Sequence, residues 1–133
     1  MSDDRLTLLA NAPADLPVLS VLMQDAIVRA GDIGWDSRQR RLVLLASRYR
    51  WDSNVKTRAR TALRIESVLK VQRQNWPTDP DTALALLTII AGDDHITLAF
   101  AGSASLRAEV ECIDAVLEDM SPAWAVQHRP DHD

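Results

Sequence analysis

The sequence predicts an α+β fold: an antiparallel bent sheet of about six strands, with an N-terminal helix and a C-terminal capping helix. Three observations predict it. Apolar and polar residues alternate with period two over 60–73 and again over 95–112, the mark of strands with one buried face. A period near 3.6 takes over at Ile113, Val116, Leu117 and Met120, with Asp114, Glu118 and Asp119 on the other side. The connections between these stretches are short, which favours antiparallel neighbours.

The elements follow in order. Leu6–Ala10 reads as a short leading strand. Asp15 is a good helix cap and Pro17 fits a first turn, so Leu16, Leu19, Leu22, Met23 and Ala26 form the buried stripe of a helix over 16–26. Residues 27–35 are extended, with Gly31-Asp32 and Gly34 marking a bulge, and Asp36–Gln39 turns the chain. In the strand Arg41–Trp51 the odd positions Val43, Leu45, Ser47, Tyr49 and Trp51 are mostly apolar, while Arg48 and Arg50 fall on the even side. Arg60–Arg73 reads as one long strand, with Thr61, Leu63, Ile65, Leu69 and Val71 facing one way and Arg60 and Arg64 the other. After a Pro-containing loop at 75–82, Leu84–Ala91 is apolar on both sides and reads as a central strand.

Pairing Phe100 with Leu106, Leu98 with Ala108 and Ile96 with Val110 puts all six on one face of a hairpin, with an odd number of residues in its loop. Cys112 extends that apolar face and is expected to be inaccessible. Ser121-Pro122 would stop the final helix. The globular part is placed at 1–124, with 125–133 a tail lacking apolar periodicity. A sheet with a terminal helix is compatible with a pleckstrin-homology-like half-barrel, an analogy of architecture alone. The segments Asp15-Leu16-Pro17-Val18, Gln24-Asp25-Ala26, Gly31-Asp32, Thr97–Gly102, Val110–Ile113 and Pro122-Ala123-Trp124 together resemble a family of short bacterial proteins of unknown function. The resemblance implies a bacterial single-domain protein and carries no catalytic residue, cofactor or substrate.

At 133 residues and 47% hydrophobic, the chain can bury a real core. No apolar run approaches a membrane span, and Met1-Ser2-Asp3-Asp4 does not open a signal peptide, so no membrane partner is expected. One cysteine suits a reducing cytoplasm. The net charge of −4 hides an asymmetry: residues 29–73 carry +8, residues 1–28 carry −3 and residues 74–133 carry −9. Such a block is either matched inside the fold or offered to an anionic partner.

Little points to catalysis. Adjacent Asp93, Asp94 and His95 suit a solvated turn better than a metal site, and no phosphate loop, nucleophile elbow or zinc-protease helix is present. No cofactor is expected. The four tryptophans suit plugs at the ends of the core. Arg48-Tyr49-Arg50-Trp51 interleaves charge and aromatics, but alternation separates the two, which argues against nucleic acid. An even-sum register between the two basic strands, setting Arg50 opposite Arg60 or Arg48 opposite Arg64, would gather Arg48, Arg50, Arg60 and Arg64 on one face. The expected function is therefore non-enzymatic: a basic sheet face that holds an acidic protein or small anion. The alternatives are a homodimer joining this face to the acidic helix of a second subunit, and a small enzyme with an unrecognised site.

Overall fold

A computed structural model describes residues 5–50 and 57–120, together with the backbone of 124–125. In chain order the elements are β1 (Thr7–Ala10), a 3-10 turn (Pro13–Asp15), α1 (Leu16–Met23), β2 (Ile27–Asp36), β3 (Arg41–Tyr49), β4 (Thr57–Ile65), β5 (Val68–Gln74), β6 (Ala83–Ala91), β7 (His95–Phe100), β8 (Ser105–Val110), β9 (Ala115–Asp119) and the two-residue β10 (Trp124–Ala125). The sheet runs β1-β9-β4-β3-β2-β6-β7-β8-β5, with β10 added on β4. Every pairing is antiparallel. The fold is α+β with an antiparallel sheet, but it has more strands than expected and no C-terminal helix among the described residues.

The structure departs from the sequence expectations at three places. The stretch 60–73 is two strands, not one. The inward residues of β4 are Ala59, Thr61, Leu63 and Ile65, and the parity then shifts so that Val68 is buried. Ser67, at φ 58°, makes the break. β4 and β5 then lie far apart in the strand order, as do the consecutive β8 and β9. The two half-sheets therefore meet at one corner, where backbone bonds tie them: Glu66 N–H to Asp114 O at 2.8 Å, Val68 N–H to Arg40 O at 2.8 Å and Glu111 N–H to Ser67 O at 3.0 Å.

The expected helix after Ile113 is strand β9, packed between β1 and β4. Its inward residues are Ala115, Leu117 and Asp119, all buried. An inward aspartate made a period-2 stretch look like a helical one. Cys112, expected to be buried, is exposed, because β8 ends at Val110 and the chain bends before Ile113. Pro122 and the tail 126–133 lie outside the described residues.

Elsewhere the expected elements form. α1 ends at Met23, because Asp25 adopts φ 63° and leads directly into β2. β2 bulges between Val28 and Ile33, where the Gly31 N–H bonds Pro80 O at 2.9 Å. A Cβ on Gly31 would stand 2.8 Å from that of Pro80, so only glycine permits the contact. β6 is central, between β2 and β7. The β7–β8 hairpin pairs Leu98 with Leu106 and Ile96 with Ala108, a register two residues from the expected one, which keeps the same face inward, and all six apolar residues are buried. The closing pair Ala99–Ser105 leaves an odd-length loop, turned by Gly102 at φ 81° and Ser103 at φ 70°.

One core results, with Leu16, Leu19 and Met23 of α1 set against Leu42, Leu44, Leu63, Leu98 and Leu106 of the sheet. Trp35 and Trp76 pack on its margin, Trp76 edge-on to Phe100 at 5.5 Å. Trp51 and the Trp124 side chain lie outside the described residues.

Candidate binding face

β3 is apolar on both sides from Leu42 to Ala46, so alternation alone does not say which side faces in. The structure turns Leu42, Leu44, Ala46 and Arg48 inward. Its register with β4 sets Ser47 opposite Arg60, Arg48 opposite Ala59 and Val43 opposite Arg64, an odd-sum register instead of the expected even one. The four arginines are therefore split. Arg60 and Arg64 lie on the outer side, Arg48 lies inside, and Arg50 follows β3 on the same side as Arg48, its N–H on Thr57 O at 2.9 Å.

Arg48 is fully buried because a carboxylate waits for it. Its Nε donates to Asp119 Oδ1 at 3.2 Å and its Nη2 to Oδ2 at 2.9 Å. Thr61 Oγ1 donates to Oδ1 at 2.6 Å, and the Leu6 N–H to Oδ2 at 2.9 Å. Burial pushes the Asp119 carboxyl up, but the bonds from Arg48, Thr61 and Leu6 and the Arg48 charge outweigh it and hold it below the usual carboxylate range. The pair joins β3 to β9 across β4, and Asp119 N–H closes on Leu6 O at 2.9 Å to fasten the start of β1. This network is structural.

Arg64 is also engaged. Its Nε lies 3.0 Å from Glu66 Oε1, the oxygen that Arg41 Nε reaches at 2.7 Å. Arg40 pairs with Glu111. Arg58 donates to Ser47 O at 3.0 Å and covers the Tyr49 ring at 5.9 Å; burial holds its guanidinium below the usual arginine value, against the opposing charges of Asp25 and Tyr49. Much of the basic block is thus matched inside the fold.

At the β2 end of the outer face the arrangement differs. Ile27, Arg29, Asp32, Leu45, Ser47 and Arg60 border an open groove of about 220 Å³. Its borders combine apolar residues, the hydroxyl-bearing Ser47, two arginines and one acid, Asp32. Neither Arg29 nor Asp32 is among the site residues expected from the sequence, although Gly31-Asp32 marks the bulge there. The bulge brings them there, and only the glycine pattern announced the bulge.

An antiparallel α+β domain with a groove on the outside of its sheet is the class that fold and face define. The chain belongs to the family described as Protein of unknown function (DUF2948), whose model matches residues 6–132. No curated protein and no solved structure matches the chain at a significant level.

Proposed function

We propose that this is a non-enzymatic binding domain whose outer β2–β3–β4 face holds an acidic partner or an anionic ligand. The pairing of Arg29 with Arg60 around one groove carries the reading. A guanidinium is a planar fork suited to carboxylate or phosphate, and two of them with a hydroxyl and apolar residues beside them can seat such a group. Near Arg64 the charge is offset by Glu66 and, on β9, by Glu118 opposite Ala62, whereas the groove at the β2 end has two arginines and one acid, Asp32, among its borders. The anion is therefore expected at the β2 end. Leu9, Leu45 and Met120 are exposed large apolar residues of the same outer side, which favours a protein partner with acidic side chains over a free ion. The free, exposed Cys112 suits the reducing bacterial cytoplasm in which this reading places the domain.

The test is thermal stability with phosphate, nucleotides and an acidic polypeptide at constant ionic strength, in wild type and in an Arg29→Ala, Arg60→Ala double variant. A specific anion at about 100 times its Kd contributes roughly 2.7 kcal/mol, several degrees of melting temperature. The double variant loses that shift, and Arg64→Ala keeps it. If no anion exceeds a matched chloride control in wild type, the reading is wrong.

A further inference from the structure

On the other half of the sheet, two grooves lie side by side. The first is open, about 370 Å³, and is bordered by Gln72, Arg73, Gln74, Thr97, Ser105 and Arg107. No carboxylate borders it. Arg73 lies over the Trp76 ring at 5.6 Å. Arg107 makes no side-chain hydrogen bond or ion pair among the described residues, although its charge reaches the Asp94 carboxylate, which His95 already holds at 2.9 Å.

The second groove, about 400 Å³, runs between α1 and β6 and is mostly apolar, with Pro13, Pro17, Val21 and Ile90 among its borders. Val21 is 58% exposed and Ile90 57%, a cost in water that single surface residues carry but a shared groove seldom does. α1 takes the place β2 would have beside β6. Asp25 N–H bonds Leu86 O, Leu86 N–H bonds Ala26 O, and Ser20 Oγ accepts the Ile89 N–H at 2.9 Å.

The register joins the two grooves. Arg107 lies opposite Thr97, and Thr97 lies opposite Ile90. Directly opposed residues share a face, so an apolar groove and a guanidinium stand on one surface, two strand spacings or about 10 Å apart. We infer that this surface docks a peptide segment of another protein in the polyproline II conformation, crossing the strands, with a bulky aliphatic side chain in the α1–β6 groove and a carboxylate about three residues away on Arg107. Three residues make one turn of polyproline II, about 9 Å, which returns the side chain to the same side and matches the separation. The charge argues for the acidic end: Arg107 borders the polar groove with no acid among its borders. This surface is separate from the Arg29–Arg60 groove and does not depend on it.

The test is fluorescence anisotropy with short fluorescein-labelled peptides of glycine and serine, each carrying one leucine and one glutamate separated by up to about six residues. Binding is expected to peak near a three-residue separation. Arg107→Ala and Ile90→Ser should each weaken the best peptide at least about tenfold, and Arg60→Ala should leave it unchanged. The substituted side chains are at the surface, and circular dichroism checks that each variant folds. No binding by any peptide at millimolar protein overturns the inference. So does affinity indifferent to separation, or full affinity in Arg107→Ala. Binding of decanoate without binding of any peptide would assign the surface to a lipid-like anion and overturn it equally.

Discussion

The β7–β8 hairpin and the β3–β4–β9 centre are both antiparallel and both buried on one side, yet they specify their inner faces differently. In the hairpin every inward residue is apolar, and Ile96, Leu98, Phe100, Leu106, Ala108 and Val110 are at most 2% exposed. In the centre, the inner row includes Arg48, Thr61 and Asp119, buried as completely as their leucine neighbours. One region is specified by hydrophobic alternation, the other by a charge pair that must find its partner. A buried pair with four donors on one carboxylate fixes register as firmly as leucines do, but removal of either member leaves an uncompensated charge.

The largest expected effect breaks the pair. Asp119→Ala strands Arg48 in the interior and should cost about 3–5 kcal/mol in urea unfolding. Replacing both partners by apolar residues, Arg48→Met with Asp119→Leu, should restore most of that loss. If the single variant costs under about 1 kcal/mol, the network does not organise the centre. Phe100→Ala, in the hairpin, should cost about 3–5 kcal/mol with no such rescue, because what it leaves is a cavity.

The same contrast explains what could be read from the sequence. The hairpin, the β2 bulge, the central place of β6 and the helix start at Leu16 followed from alternation, glycine and proline, signals that act through local chain geometry. The face of β3 and the nature of β9 did not, because an inward charge reads as an outward one until its partner is known. Arg48 marked the wrong side of β3, and Asp119 made β9 look helical. Of the four arginines proposed for the site, Arg60 alone borders the groove, and Arg29 was passed over because a bulge, not a periodicity, puts it there.

A smaller effect separates the regions by pH. The folded-state pKa of Asp119 lies below its unfolded value of about 3.9, so the unfolded chain takes up the proton first as pH falls. Its stabilising contribution is complete above the unfolded value and is lost as pH drops through the lowered folded value. Wild type should therefore lose stability steeply below about pH 4. The Arg48→Met, Asp119→Leu variant should show a shallower slope there, while Phe100→Ala keeps the wild-type slope. Equal slopes in wild type and the double variant would mean that Asp119 binds its proton equally well in the folded and unfolded chains, so that the Arg48 network does not favour its ionised form.

The smallest effect marks where the hairpin's alternation stops. Period two carried past Val110 would bury Cys112, whereas the chain leaves β8 at Val110 and exposes the thiol. Cys112→Ser should then change stability by less than about 0.5 kcal/mol, as substitutions away from the core do. A thiol reagent near neutral pH should label the folded protein at a rate close to that of the denatured chain. Protection of the folded thiol by a hundredfold or more, about 2.7 kcal/mol of opening, would put Cys112 back on the inner face. It would also extend β8 through the bend at which the chain crosses to β9. The corner bonds from Glu66 to Asp114 and from Glu111 to Ser67 depend on that bend, so a reagent that reads one sulfur also reads how the two half-sheets are joined.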